Sequence, residues 1–251
     1  MNTRNDTIHM KLLIPLLLIS LNLFAQVNFK QSANELISKE KETLETHDFK
    51  SFEEAAAWAD IIAIAQIQGL EYEKVRDLNL NGYAYLKILL PYKGIIKGEP
   101  IAVIAKGFDD NACYYPEGDS EGERYLVFLK KAKDEPANVY YGFKPFCQLQ
   151  VLVSETGQYI LRTPLDENVI KIDNSLIEQV NFSDPDAMLD TSRWTIKKRE
   201  EYANTYQCKI IQKDDKFEKN YFLRYTQGVP IYKIRPLLKI KYKAKISSGQ
   251  I

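Results

Sequence analysis

The chain has 251 residues, with 34 Lys or Arg set against 34 Asp or Glu, so its formal net charge is zero. That balance gives no case for a nucleic-acid partner. Only two histidines and three cysteines are present, too few for a multi-histidine zinc site, and no Cys-x-x-Cys pair stands in for one.

At the N-terminus, Met10-Lys11 precedes the apolar run Leu12–Phe24 and the small residue Ala25. A basic residue, a run of this length and a small terminal residue read as a secretory signal peptide over residues 1–25. Pro15 and Asn22 weaken the alternative of a retained membrane span. Cleavage after Ala25 would leave 226 residues with 32 basic and 33 acidic groups, and no transmembrane span. Such a protein is exported to the periplasm, the cell surface or the medium. His47 would then be the single histidine, in a charged stretch that reads as a solvated helix end. Any Ser-His-Asp or Cys-His mechanism would depend on it.

Residues 26–58 read as an N-terminal helical segment. Asn34–Glu45 is rich in helix formers, and Ser51-Phe52-Glu53-Glu54 is a capping-box pattern opening a short helix over Phe52–Ala59. Residues 59–164 then read as strands at Ile61–Ile67, Tyr83–Leu90, Ile101–Lys106, Arg124–Lys130, Leu149–Ser154 and Tyr159–Arg162, with Gly, Pro, Asn and Asp between them. Glu155-Thr156-Gly157-Gln158 is a hairpin turn in which Gly157 is free to take positive φ. The fold class is mainly β with peripheral helices, built on a small OB-like barrel of five or six strands.

Residues 165–251 form a C-terminal α+β extension. Asp184-Pro185-Asp186 reads as a turn and Thr191–Tyr206 as a helix, with Trp194, Ile196 and Tyr202 on its buried face. From Lys219 to the end there are eight Lys or Arg and no Asp or Glu. Leu238–Ile246 alternates apolar residues with Lys239, Lys241, Lys243 and Lys245, the pattern of a half-buried strand. The lysine face is a candidate anion site; the plainer reading is an edge strand guarded by charge.

In an oxidising compartment the cysteines are expected to pair, and three cysteines allow three single pairs. Cys113 and Cys147 flank the Gly122–Leu129 strand, which favours their pairing and leaves Cys208 over. That bridge would stabilise the fold by about 3–4 kcal/mol on the chain-entropy model. Carboxylates crowd the loops at Asp109-Asp110-Asn111 and Glu117–Glu123, where solvated acidic loops are commoner than calcium sites. Tyr114-Tyr115 and Tyr140-Tyr141 add aromatic surface.

Tyr92-Lys93-Gly94, Lys97-Gly98-Glu99, Cys113, Gly122-Glu123-Arg124-Tyr125-Leu126-Val127-Phe128-Leu129 and Cys147 resemble the pattern of secreted bacterial domains of the netrin-like, tissue-inhibitor-of-metalloproteinases-like OB fold, over Ala59–Pro164. The resemblance implies an OB barrel and adds support to the Cys113–Cys147 disulfide. The animal inhibitors of this family grip the protease zinc through an N-terminal cysteine, and here the mature end would be Gln26. Their mechanism does not carry over. These observations lead to an exported, non-enzymatic binding module without cofactor or metal, for a protein, peptide or glycan ligand. The alternatives are a carboxylate-dependent hydrolase, or a structural part of a cell-envelope assembly using Cys208 or the lysine strand.

Overall fold

The structure, a computed structural model, describes residues 49–240 except 76–77, 96, 107–112, 115–120, 134, 136, 144–145, 148, 166–169 and 215–218. The signal segment, the helix expected over Asn34–Glu45, His47, most of the acidic loop residues and Lys241, Lys243 and Lys245 lie outside the described residues.

Helix α1 spans Phe52–Trp58. Ser51 Oγ accepts from the Glu54 amide at 3.2 Å, as a capping residue should. Glu54 reaches back one residue further than the expected box, accepting from the Lys50 amide at 2.6 Å. At the other end Lys93 Nζ donates to Ala56 O and Ala59 O, at 2.8 and 2.5 Å. Its charge and donors serve carbonyls that the end of a helix leaves open.

Five strands close into a barrel: β1 (Ile61–Val75), β2 (Leu78–Lys93), β3 (Pro100–Lys106), β4 (Arg124–Lys131) and β5 (Val139–Tyr141). The ring order is β1-β2-β3-β5-β4, returning to β1. All contacts are antiparallel except β3 with β5. The chain is therefore mainly β around a small OB-like barrel, as its composition and turn spacing suggest.

β1 and β2 run well past their expected limits. The stretch after Ile67 contains Gly69, Glu71 and Lys74, poor strand formers by composition. Pairing with β2 carries the strand through, and register shifts at Ile67/Gly69 and Tyr72/Lys74 absorb the mismatch.

Ile61, Ala63, Ala65 and Ile67 point into the barrel with Ala84, Leu86, Ile88, Ile101, Val103, Val127 and Leu129. The opposite faces of β1 and β4 are also buried. Ile62, Ile64, Leu126 and Phe128 pack outward against α1 and the C-terminal elements. Burial on both faces explains why these strands read as unbroken apolar runs. Each fully buried Ile or Leu contributes roughly 1.5–3 kcal/mol by transfer alone.

On the edge of β4 shared with β5, β6 (Leu149–Val153) continues the sheet, followed by β7 (Tyr159–Arg162). Gly157, at φ 77°, forms the tight turn expected between them. Beyond them lie β8 (Glu178–Gln179) and β12 (Gln227–Pro230), the latter running into α3 (Ile231–Ile234). A second sheet has the order β10 (Cys208–Asp214), β11 (Lys219–Tyr225) and β9 (Met188–Asp190), with helix α2 (Ile196–Tyr206) beside it.

Asp184 caps the 3-10 turn Pro185–Ala187 expected from the sequence. Its buried carboxylate accepts from Arg124 Nη1 and from the Val153 amide, both at 2.9 Å. The turn is thereby fastened to β4 and β6.

Two expectations for the C-terminal region need correction. The helix begins at Ile196, because Thr195 caps it by accepting from the Lys198 amide at 3.2 Å. Its buried residues are Arg199 and Ala203, whereas Ile196 is 70% exposed and Trp194 and Tyr202 are half-buried. The strand expected from Leu238 does not start there. Leu238 is buried at the end of a 3-10 turn, Arg235–Leu238, and Lys239 follows at φ 45°.

Candidate functional site

Strand β2 decides what the barrel shows to solvent. Ala84, Leu86 and Ile88 enter the core, so Tyr83, Tyr85 and Lys87 project from the outer face. The register places Gly69 of β1 and Ala102 of β3 directly across from Tyr85. One neighbour has no side chain and the other a single methyl, so the Tyr85 ring stands above both. It is 40% exposed.

Carboxylates fix the hydroxyls of this face. Tyr85 OH donates to Glu71 Oε2 at 2.7 Å, and Tyr83 OH donates to Glu135 Oε2 at 3.1 Å. The bond to Glu71 is the main reason the Tyr85 phenol is held above its ordinary pKa; burial does most of the same for Tyr83, helped by Glu135. Both hydroxyls stay protonated at neutral pH. Glu121 Oε1 comes within 3.7 Å of where a Cβ on Gly69 would stand, which brings a third carboxylate to the patch. Ile104, opposite Tyr83, adds half-buried apolar surface.

The face can therefore offer a flat aromatic surface with fixed hydrogen-bond acceptors around it. Its negative charge opposes a phosphate backbone. The outer face of strands 2 and 3 is also where OB folds characteristically take extended ligands.

The other sequence-nominated residues serve different ends. Cys113 and Cys147 form a disulfide with Cα atoms 5.8 Å apart. Tyr114 is buried beside it, donating to Cys147 O at 2.9 Å, while Tyr72 donates to Tyr114 O at 3.0 Å. Tyr141 is buried and packs on Trp58 and Phe143, so these tyrosines build the core. Glu123 accepts from the Tyr125 hydroxyl. Lys239 pairs with Glu53 of α1 at 2.5 Å. Among the described residues no three His, Cys, Asp or Glu side chains gather as metal ligands, and no helix is long and apolar enough to cross a membrane.

Tyr83 and Tyr85 were visible as alternate residues of a recognised strand. What singles out Tyr85 is its pairing with Gly69 and Ala102, and pairing depends on register. No family model, curated protein or solved structure matches the chain.

Proposed function

We propose that the protein is an exported, non-enzymatic binding module of the netrin-like OB kind, taking an oligosaccharide on the outer face of β1–β3. The observation that carries this reading is Tyr85, a ring held by Glu71 and left standing between Gly69 and Ala102. A pyranose stacks on such a ring while its hydroxyls donate to carboxylates fixed nearby. The Cys113–Cys147 disulfide supports export, because such bonds persist in oxidising compartments.

Calorimetric titration of the purified protein with neutral and amino-sugar oligosaccharides tests it. Tyr85→Ala is expected to weaken the best ligand by about two- to tenfold, in line with aromatic stacking energies of about 0.5–1.5 kcal/mol. Folding should be little affected, since the ring is largely outside the core. Equal affinity of the variant would remove this face from consideration, and capture of peptides with no glycan binding would move the ligand class.

Glutamates 71, 121 and 135 contribute to one face, which keeps a carboxylate-dependent hydrolase as the second reading. Products released during the same titration, and lost in Glu71→Gln, would favour it.

A further inference from the structure

A second concave surface lies at the end of the β9–β11 sheet. Asp190, Ser192, Arg193, Trp194, Lys219 and Asn220 line a groove of about 920 Å³. That is within the range of small-molecule and sugar sites. Its walls are held in place. Asp190 accepts from the amide and hydroxyl of Ser192, at 2.9 and 2.6 Å, and the Tyr221 amide donates to Ser192 Oγ at 3.1 Å. Beneath the groove Arg199 donates to Thr191 O and Trp194 O, at 3.0 and 3.1 Å, fixing the loop that carries the indole.

The cations of the groove are used differently from Arg199. The side chains of Arg193 and Lys219 make no hydrogen bond or ion pair with another described residue, although the charge of Arg193 acts on the Asp190 carboxylate. Lys198 Nζ stands 4.4 Å from the Trp194 ring centroid. Trp194 is half-exposed and is braced edge-on by Tyr202 at 5.3 Å. Among the described lining residues the one carboxylate is Asp190; the bonds from Ser192, helped by the nearby charge of Arg193, hold its pKa below the usual carboxylate value. The groove thus combines an indole, a planar guanidinium, the Lys219 ammonium, an amide and the Asp190 carboxylate, with Lys198 beside the indole.

From this combination we infer that the groove binds a uronic-acid residue of an acidic oligosaccharide. The guanidinium fork of Arg193 matches a carboxylate in a way that an ammonium cannot. Trp194, half-exposed with Lys198 over its ring, offers its remaining indole surface to a sugar ring, and Asn220 offers a donor and an acceptor to ring hydroxyls. Lys198 and Lys219 extend the positive field toward neighbouring acidic units. An acidic peptide would satisfy the charges without using the indole.

The site is independent of the barrel face, so the two readings fail separately. The test titrates the full chain with oligogalacturonate, with a neutral α-1,4-glucan of equal length and with an oligoglutamate peptide. Tryptophan fluorescence reports the event, as the chain has two tryptophans and the other, Trp58, packs among Phe49, Tyr141 and Phe143. Oligogalacturonate is expected to bind, more weakly as salt is raised, and to lose about tenfold or more in affinity in Arg193→Gln. Tyr85→Ala should leave that binding unchanged. Because Arg193 is exposed, Arg193→Gln is a safe variant if Trp194→Ala fails to fold. Binding of the neutral glucan or the peptide with equal affinity would overturn the inference, as would an undiminished Arg193→Gln variant or no binding of the acidic oligomer.

Discussion

Gly94 shows how one residue can be fixed by its surroundings. Its φ is +72°, and a Cβ there would stand 2.0 Å from Asp60 O. Side chain and backbone conformation are both disfavoured, so the Gly94→Ala variant is expected to lose about 2–3 kcal/mol in urea unfolding. Gly157, at φ +77° with open space around it, provides the control. Its alanine variant is expected to cost only about 1 kcal/mol, the conformational share. Equal losses would show that contact with Asp60 is unimportant. Cys208 makes a different case. Burial pushes its thiol from 9.0 up to about 11, against the partial opposition of Arg162. The folded pKa is the raised one. Stability from the neutral thiol is therefore complete below pH 9 and is lost as pH rises toward 11. At pH 8, alkylation of the native protein is expected to be slower than that of the unfolded chain by at least about tenfold, from its smaller thiolate fraction. Equal rates would show that burial does not protect Cys208, as a disulfide-linked assembly would require.

Among the elements, the apolar runs of β1 and β4 were the most legible. Each is buried on both faces, so no register knowledge is needed to see a strand. Strand β5 was hidden because it has three residues, and its role in closing the ring depends on its parallel pairing with β3. Helix α2 was legible in type but not in orientation. Its inner face carries Arg199 where an apolar residue was expected, because the guanidinium bonds to Thr191 and Trp194 and lies 3.9 Å over Tyr221. Arg199→Met keeps the length and removes the donors. It is expected to destabilise the protein by about 2–4 kcal/mol, as a buried charge-assisted network is broken. Chemical denaturation monitored at Trp194 would measure this, and a loss below 0.5 kcal/mol would show that the stem of the side chain supplies most of the packing.

Across the whole molecule, the same strands carry two cores. One fills the barrel and includes the Cys113–Cys147 disulfide, and the other lies between the barrel wall, α1 and the C-terminal elements. The barrel was readable from strand composition and turn spacing. The face that it presents was not, because Tyr85 gains its exposure from Gly69 and Ala102 on separate strands. The most direct test is amide chemical-shift mapping of the labelled protein with its best neutral or amino-sugar oligosaccharide. Shifts centred on Gly69, Glu71, Tyr83, Tyr85 and Ala102, absent in Tyr85→Ala, are expected. Shifts confined to other parts of the molecule, or turnover of the ligand during the titration, would contradict a non-enzymatic site on the β1–β3 face.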